Sequence, residues 1–255
     1  MLKYPVVKLL LIISLVALLT LEMYGFNVPT YSYVVLVLLG VLIVMAGSYF
    51  IHWQFFLKSF NKGSGDSNLI ALTFDDGPSE DTTLEILDIL DRYEAKATFF
   101  CIGKQLNANG PVAKEIIERG HSIGNHTYLH KNNFPMMSTR QMIEEIEKTN
   151  SEIEKITGLK NRFFRPPFGV TNPRIARAVK QTQMDVIGWN IRSFDTVSKN
   201  VGKVVDRIIC KLKPGSIVLL HDTHQHTPAI LEKVLQHMKG MKLKSVGIET
   251  LLNSR

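Results

Sequence analysis

Residues 69–78 read LIALTFDDGP, an apolar run that ends on two adjacent carboxylates and a Gly-Pro turn. The run LIALTF is short and largely apolar, the pattern of a strand. Asp75 and Asp76 leave that strand side by side. Neighbouring like charges repel, and a bound cation is an effective way to offset them. Successive strand side chains point to opposite sides, but a tight turn after Phe74 would bend both carboxylates towards one cleft. The competing reading is that one of them caps the following helix, since Asp is favoured at that position. The pair alone leaves both readings open.

Outward from this strand the pattern alternates. Residues 80–93 read as a helix, with Leu84, Leu87 and Leu90 at helical spacing among acids. ATFFCIG is strand-like, and PVAKEIIERG is a helix opened by Pro111 and closed by Gly120. Residues 138–157 form a long amphipathic helix, with Ser138 as N-cap and Gly158 as stop. RFFRPPF, DVIGW and SIVLLHD are strands or strand ends, while VVDRIICKL and ILEKVLQHMKG are helices. Alternating strands and helices indicate an α/β domain with a largely parallel sheet.

The first sixty residues differ in character. Leu9 to Leu21 reads LLLIISLVALLTL, and Tyr33 to Ile51 reads YVVLVLLGVLIVMAGSYFI without one charge. The second run is as long as a helix needs to cross a bilayer. The first is shorter, but EMYGFNVP after it lacks a small-x-small cleavage site, so it reads as an uncleaved span. The expected organisation is a membrane anchor over 1–58 with two transmembrane helices at about 6–22 and 33–51, a polar Gly/Ser-rich linker over 59–68, and a catalytic domain over 69–255. Lys3 and Lys8 flank one end of the pair of spans and Lys58 and Lys62 the other, which points the soluble part to the cytoplasm. Trp53, Phe55 and Phe56 suit an interfacial belt.

The 255 residues suit one domain plus accessory segments, and 45% apolar residues suffice for a core. A net charge of +7 suits anionic partners such as lipid heads, lipid-linked phosphates or an acidic glycan. Without a dense Lys/Arg tract interleaved with aromatics, no nucleic-acid partner is expected. Cys101 and Cys210 are too few for a disulfide framework and do not form a metal-site spacing.

Further motifs carry chemistry. HTYLH places His126 and His130 four apart, a spacing that on a helical turn offers two imidazoles on one face to a transition metal. Tyr128 and Leu129 supply no base between them, so a carboxylate would come from the Asp pair. RPPFG brings Arg165 before a stiff diproline, and an arginine near a carboxylate holds it ionised. IVLLHDT ends an apolar strand on His221, a candidate proton donor. In WNIRSFDT, Asp195 could hydrogen-bond His221 and favour its protonated form. His224 and His226 read as solvated loop histidines.

Together and in this order, TFDDGP, H-T-x-x-H, R-x-P-F and L-x-H closely resemble the polysaccharide deacetylase family, the NodB-homology domain of carbohydrate esterase family 4. The match runs from about Leu69 to Leu252 and holds four of the family's five motifs. The resemblance implies a distorted (β/α) barrel with about seven strands, and roles for residues. Asp75 matches the general base, Arg165 the arginine that orients it, His221 the general acid, and Asp195 its tuner. Asp76, His126 and His130 match an Asp-His-His metal triad. Leu219 matches the acetyl-methyl pocket, and Phe168, with Pro167 before it, the substrate-binding loop whose backbone N–H holds an oxyanion. The fourth motif departs: where the family often has Asp-x-x-Asp-Trp, this chain has Arg192-Ser193-Phe194-Asp195-Thr196. The expected reaction is metal-dependent removal of N-acetyl groups from a peptidoglycan- or chitin-like glycan, releasing acetate. Zinc is the default ion for one carboxylate and two imidazoles, with cobalt, nickel or iron compatible. The alternatives are an amide hydrolase acting on a lipid-linked sugar, such as a deformylase, and an inactive membrane-tethered carbohydrate-binding homologue. Membrane lipids are expected partners in each case. Many family members work on cell-wall glycans outside the cell, against the direction of the lysines.

Overall fold

The chain begins with a helical hairpin and continues into a curled parallel sheet wrapped by helices. The computed structural model describes residues 3–254. Met1, Leu2 and Arg255, which the expected domain ranges include, lie outside the described residues. Helix α1 spans Tyr4–Met23 and α2 spans Thr30–Tyr49. At 1.5 Å per residue each is about 30 Å long, the thickness of a bilayer's hydrocarbon. Their mean hydropathies are 2.4 and 2.2, and most of their large apolar side chains are exposed. Both are therefore long and apolar enough to cross a membrane.

The soluble part follows as β1 (Leu69–Asp75), α3 (Thr82–Arg92), β2 (Ala97–Cys101), α4 (Gly103–Ala108), α5 (Gly110–Glu118) and β3 (Ser122–Asn125). Next come α6 (Thr139–Thr157), β4 (Phe163–Phe164), α7 (Pro173–Thr182), β5 (Asp185–Val186) and β6 (Ile191–Arg192). The chain ends with α8 (Val201–Ile209), β7 (Ile217–His221), α9 (Thr227–Gly240), β8 (Lys244–Ser245) and α10 (Ile248–Asn253). The strands lie in the order β5-β4-β3-β2-β1-β7-β6, all parallel, with β8 added at the start of β1. This is the distorted barrel of about seven strands that the motifs imply.

Alternation along the strands divides the core. Ile70, Leu72, Phe74, Ile191, Val218 and Leu220 face outwards and pack with α3, α5, α8 and α9. Ala71, Phe100, Phe163, Ile187 and Ile217 face inwards with Ile248 and Leu251 of α10. Helix α6 starts with a capping box between Ser138 and Gln141 and stops at Gly158, whose φ of 69° is left-handed.

The stretch expected as a free linker behaves differently. Phe60 pairs with Ile187 just beyond β5, and Lys62 with Ser216 before β7. The Ser59 hydroxyl donates to the Ile51 carbonyl at 3.0 Å. Because β5 ends the sheet, its outer edge has unpaired backbone groups that recruit this segment, and Phe60 packs into the inner apolar cluster. Ile51, two residues after α2, is buried among Phe134, Met142, Ile146 and Phe164. The Tyr4 N–H donates to the Phe55 carbonyl at 3.0 Å, joining the start of α1 to the end of α2. The helical hairpin is thus anchored to the α/β part by packing, not by a flexible tether.

Candidate active site

Sheets of this kind gather their chemistry at the carboxyl ends of the strands. Here β1 ends on Asp75, β3 leads to His126, β4 to Arg165 and β7 ends on His221. Asp75 is 4% exposed, and its Oδ1 accepts from Arg165 Nη1 at 2.6 Å. Arg165 is fully buried. The remainder of its fork donates to Thr73 Oγ1 at 2.9 Å, the Ile187 carbonyl at 3.1 Å and the Gly188 carbonyl at 3.1 Å. Its guanidinium also lies 4.1 Å from the Phe100 ring centroid. Burial pulls the Arg165 pKa down, and the Asp75 carboxylate opposes that. The diproline supplies the stiff exit that returns this arginine into the barrel.

Asp76 goes elsewhere. Its φ of 80° turns it out of the strand line. Its Oδ1 is buried without a hydrogen-bond partner, 3.5 Å from His126 Nε2 and 3.6 Å from His130 Nε2. The donor atoms of Asp76, His126 and His130 all lie within 4.8 Å of one another. His126 Nδ1 is 2.8 Å from the Arg165 carbonyl, which can only accept. Nδ1 therefore carries a proton, and Nε2 faces Asp76. Burial, then the neighbouring His126, lowers the His130 pKa against the pull of Asp76 and Asp75. An orphaned carboxylate oxygen opposed by two imidazoles fits a divalent metal ion. Neither Asp75 nor Asp76 caps α3, whose N-cap position is Asp81.

The helical turn expected at His126 and His130 is absent. These residues lie in a loop with Thr127 at φ 65° and His130 at φ 47°. Side chains and strand ends outside the loop fix it. Asn125 Oδ1 accepts from the Thr127 N–H at 2.8 Å, and Glu145 Oε2 from the N–H groups of Tyr128 and Leu129 at 3.0 and 2.8 Å. Left-handed non-glycine residues cost of order 1–3 kcal/mol each and persist only where surroundings over-determine them. Glu145 was not legible as a site residue because its partners are backbone groups of a loop not yet folded.

His221 lies across the cleft. Its Nδ1 is 2.9 Å from Asp195 Oδ1, and its N–H donates to Asp195 Oδ2 at 2.8 Å. Ser193 Oγ and Thr227 Oγ1 also donate to Asp195, at 2.7 and 3.3 Å. Burial lowers the His221 pKa, but the Asp195 hydrogen bond and charge, helped by Asp75 and Asp76, outweigh it and lift the value to about 9. The imidazolium is thus the form present at neutral pH. Activity that needs this proton is expected to persist up to about pH 9 and to fall as pH rises through that value. Asp195→Asn removes the lifting charge, so the alkaline limb of kcat/KM should move down by about 1–3 pH units. A pH–rate profile of both proteins checks this, and an unmoved limb would separate Asp195 from the titration.

Leu219 is buried and lies on the inner face with Asp75 and His221. Phe168, at φ 61° and 42% exposed, sets its ring 4.9 Å from that of His130, and Pro167 before it is buried. His224 has its ring 6.3 Å from that of His221, and neither it nor His226 joins the Asp76 group. Two residues of the neighbourhood went unread in the sequence. Asp222, beside His221, is buried and packs against Gly77, where any side chain would collide with its carboxyl group. Burial pushes its pKa up to about 7. Trp189 fills the space over Gly169 and lies between the guanidinium groups of Arg165 and Arg192, 5.6 and 5.8 Å from its ring.

Comparison with known proteins adds an independent finding. A family model described as "Polysaccharide deacetylase" matches residues 62–187. The peptidoglycan-N-acetylglucosamine deacetylase PgdA of Listeria monocytogenes is 34% identical over 186 residues, covering 73% of this chain and 39% of that protein. This chain therefore spans about two fifths of the length of that relative. A peptidoglycan-N-acetylglucosamine deacetylase of Bacillus cereus is 32% identical over 192 residues, covering 73% of this chain and 89% of that one. Among solved structures, a CE4 family pseudoenzyme from Bacillus anthracis superposes with a TM-score of 0.70 at 29% identity, over 76% of this chain and 68% of the other.

Proposed function

The chain belongs to the polysaccharide deacetylase family, and on that premise we propose that it is a metal-dependent hydrolase that removes N-acetyl groups from an N-acetylated sugar and releases acetate. The observation that carries this reading is the division of labour between adjacent carboxylates. Asp75 is committed to Arg165, while the inner oxygen of Asp76 is left facing two imidazoles.

Asp76, His126 and His130 would hold the ion. A divalent ion there, zinc by default, supplies a more acidic water and a polarised acetamide carbonyl. Asp75, held in place by Arg165, accepts the proton of the attacking water. The backbone N–H of Phe168 faces the developing oxyanion, and Leu219 takes the acetyl methyl group. His221, positioned by Asp195, delivers its proton to the leaving nitrogen as the C–N bond breaks. Water and amide are consumed, and acetate and the free amine are formed.

Chelation followed by removal of the chelator is expected to abolish acetate release and to bring the bound metal to zero by elemental analysis. Zinc or cobalt should restore both, at one ion per chain. Full activity in protein verified as metal-free would overturn the assignment of Asp76, His126 and His130.

The Bacillus anthracis neighbour is a pseudoenzyme, so the fold by itself does not carry activity. An inactive binder has no need of a buried base, its arginine, an Asp-held imidazolium and a three-donor metal group together, and this chain has all of them. We read α1 and α2 as retained membrane spans. The first turn of α1 is tied to Phe55, and Lys3 Nζ donates to the Gln54 carbonyl at 2.9 Å. A cleaved leader would leave those partners open. The lysines at this end of the hairpin favour the cytoplasmic side, which a C-terminal reporter would read directly.

A further inference from the structure

We propose that the substrate is an N-acetylated sugar joined through phosphate to a membrane lipid, and that Arg192 receives the phosphate. The proposal rests on the deacetylase reading above and names the class of its substrate.

Arg192 pairs with Leu219 in the sheet. Its neighbour Ile191 is fully buried in the outer core with Val218 and Leu220. Strand alternation then turns Arg192 inwards, to the side of Leu219, Asp75 and His221. Arg192 is half-buried, and its guanidinium lies over two aromatic rings, 5.8 Å from the Trp189 centroid and 4.9 Å from that of Phe194. Among the described residues it has no ion pair and no side-chain hydrogen bond. Arg207 lies 5.2 Å from the same Phe194 ring. The nearby carboxylate, Asp195, is taken up by His221, Ser193 and Thr227. A guanidinium held by ring faces keeps its planar N–H fork free, and that fork matches the paired oxygens of a phosphate. A neutral glycan has no group that calls for it.

The second observation is where the cleft stands. The Thr171 N–H donates to the carbonyl of Ser48, in the last turn of α2, at 3.0 Å. Thr171 is three residues beyond Phe168, whose ring rests on His130. Three Cα steps span at most about 11 Å. A Cβ on Gly188 would lie 3.3 Å from Ile51 Cγ2, and the Gly188 carbonyl accepts from Arg165. The catalytic cleft is therefore held beside the end of the span by packed, buried contacts. A domain on a flexible linker samples a wide volume, whereas this one works at the headgroup layer. A sugar on a lipid phosphate brings its acetamido group to that height.

The test uses the full chain, loaded with zinc, in vesicles of phosphatidylcholine and phosphatidylglycerol. One arm presents N-acetylglucosamine linked by diphosphate to a polyprenol in the same vesicles. The others present a soluble neutral N-acetylglucosamine oligomer and a carboxylated N-acetylmuramyl glycan. The lipid-linked sugar is expected to give the highest kcat/KM by acetate release. Arg192→Ala should reduce its preference over the neutral oligomer by about ten- to a hundredfold, with the change in KM. Arg192→Lys, which keeps the charge, should recover part of it, and thermal unfolding confirms that both variants fold. A neutral oligomer or carboxylated glycan turned over as well as the lipid would overturn the proposal and leave the deacetylase reading standing. Equal effects of Arg192→Ala on all substrates would do the same. No acetate from any arm, in protein with full metal content, would remove the deacetylase reading and this proposal with it.

Discussion

Asp75→Asn is expected to lower kcat by about two to four orders of magnitude, the usual contribution of a positioned general base. Asparagine keeps the shape of the side chain, and its carbonyl still accepts from Arg165, so the fold should survive. It cannot take a proton from water at neutral pH. Asp76, His126 and His130 are untouched, so metal content should stay at one ion per chain. The measurement is acetate release against metal stoichiometry in the same preparation. Turnover within a few-fold of the parent protein would sink the assignment of Asp75. The same substitution at Asp76 should behave in the opposite sense, losing metal first and activity in consequence. The pair of results would thus separate two carboxylates that are adjacent in sequence and distinct in structure.

Arg165→Ala is expected to cost about 3–5 kcal/mol of stability, because it leaves a buried carboxylate without its counter-charge. Asp75 is 4% exposed and Arg165 wholly buried, so bulk water cannot replace the lost bonds. The cost is a large part of the 5–15 kcal/mol that typical domains have in total. Denaturant unfolding of the parent and variant would measure it. Adding Asp75→Asn to Arg165→Ala removes the stranded charge, so the double variant should be more stable than the sum of the single effects allows. A loss below about 1 kcal/mol, in the range of exposed ion pairs, would show that the pair is not buried in solution as it is here.

Legibility in the sequence followed the range of the interactions concerned. The helices with clear apolar spacing and caps could be read: Ser138, Gln141 and Gly158 bound α6 through local bonds. The two apolar helices could be read because long, strongly apolar runs with few charges have few other uses. The two-residue β4 and β5 fall inside the runs RFFRPPF and DVIGW, whereas the four-residue β3 is too short for a period to declare itself. The tie between residues 59–62 and the sheet edge was hidden by composition, since a polar, glycine-containing run reads as linker until an unpaired edge is present to recruit it.

The site divides in the same way. The sequence by itself determined which groups are available: two carboxylates at a strand end, two imidazoles four apart, an arginine, and a histidine on another strand. These are chemical identities, and chemistry needs no coordinates to be named. The resemblance implied different roles for the two carboxylates, but only the tertiary structure sends them in different directions. It does so through a left-handed φ at Asp76 and the bond between Asp75 and Arg165, ninety residues apart in sequence. Only the structure showed that the His126–His130 spacing is met by a strained loop and not by a helix. It alone set Arg192 inside the barrel and the cleft beside the end of α2. Each of these depends on contacts between distant segments, and no local pattern of residues encodes a direction in space.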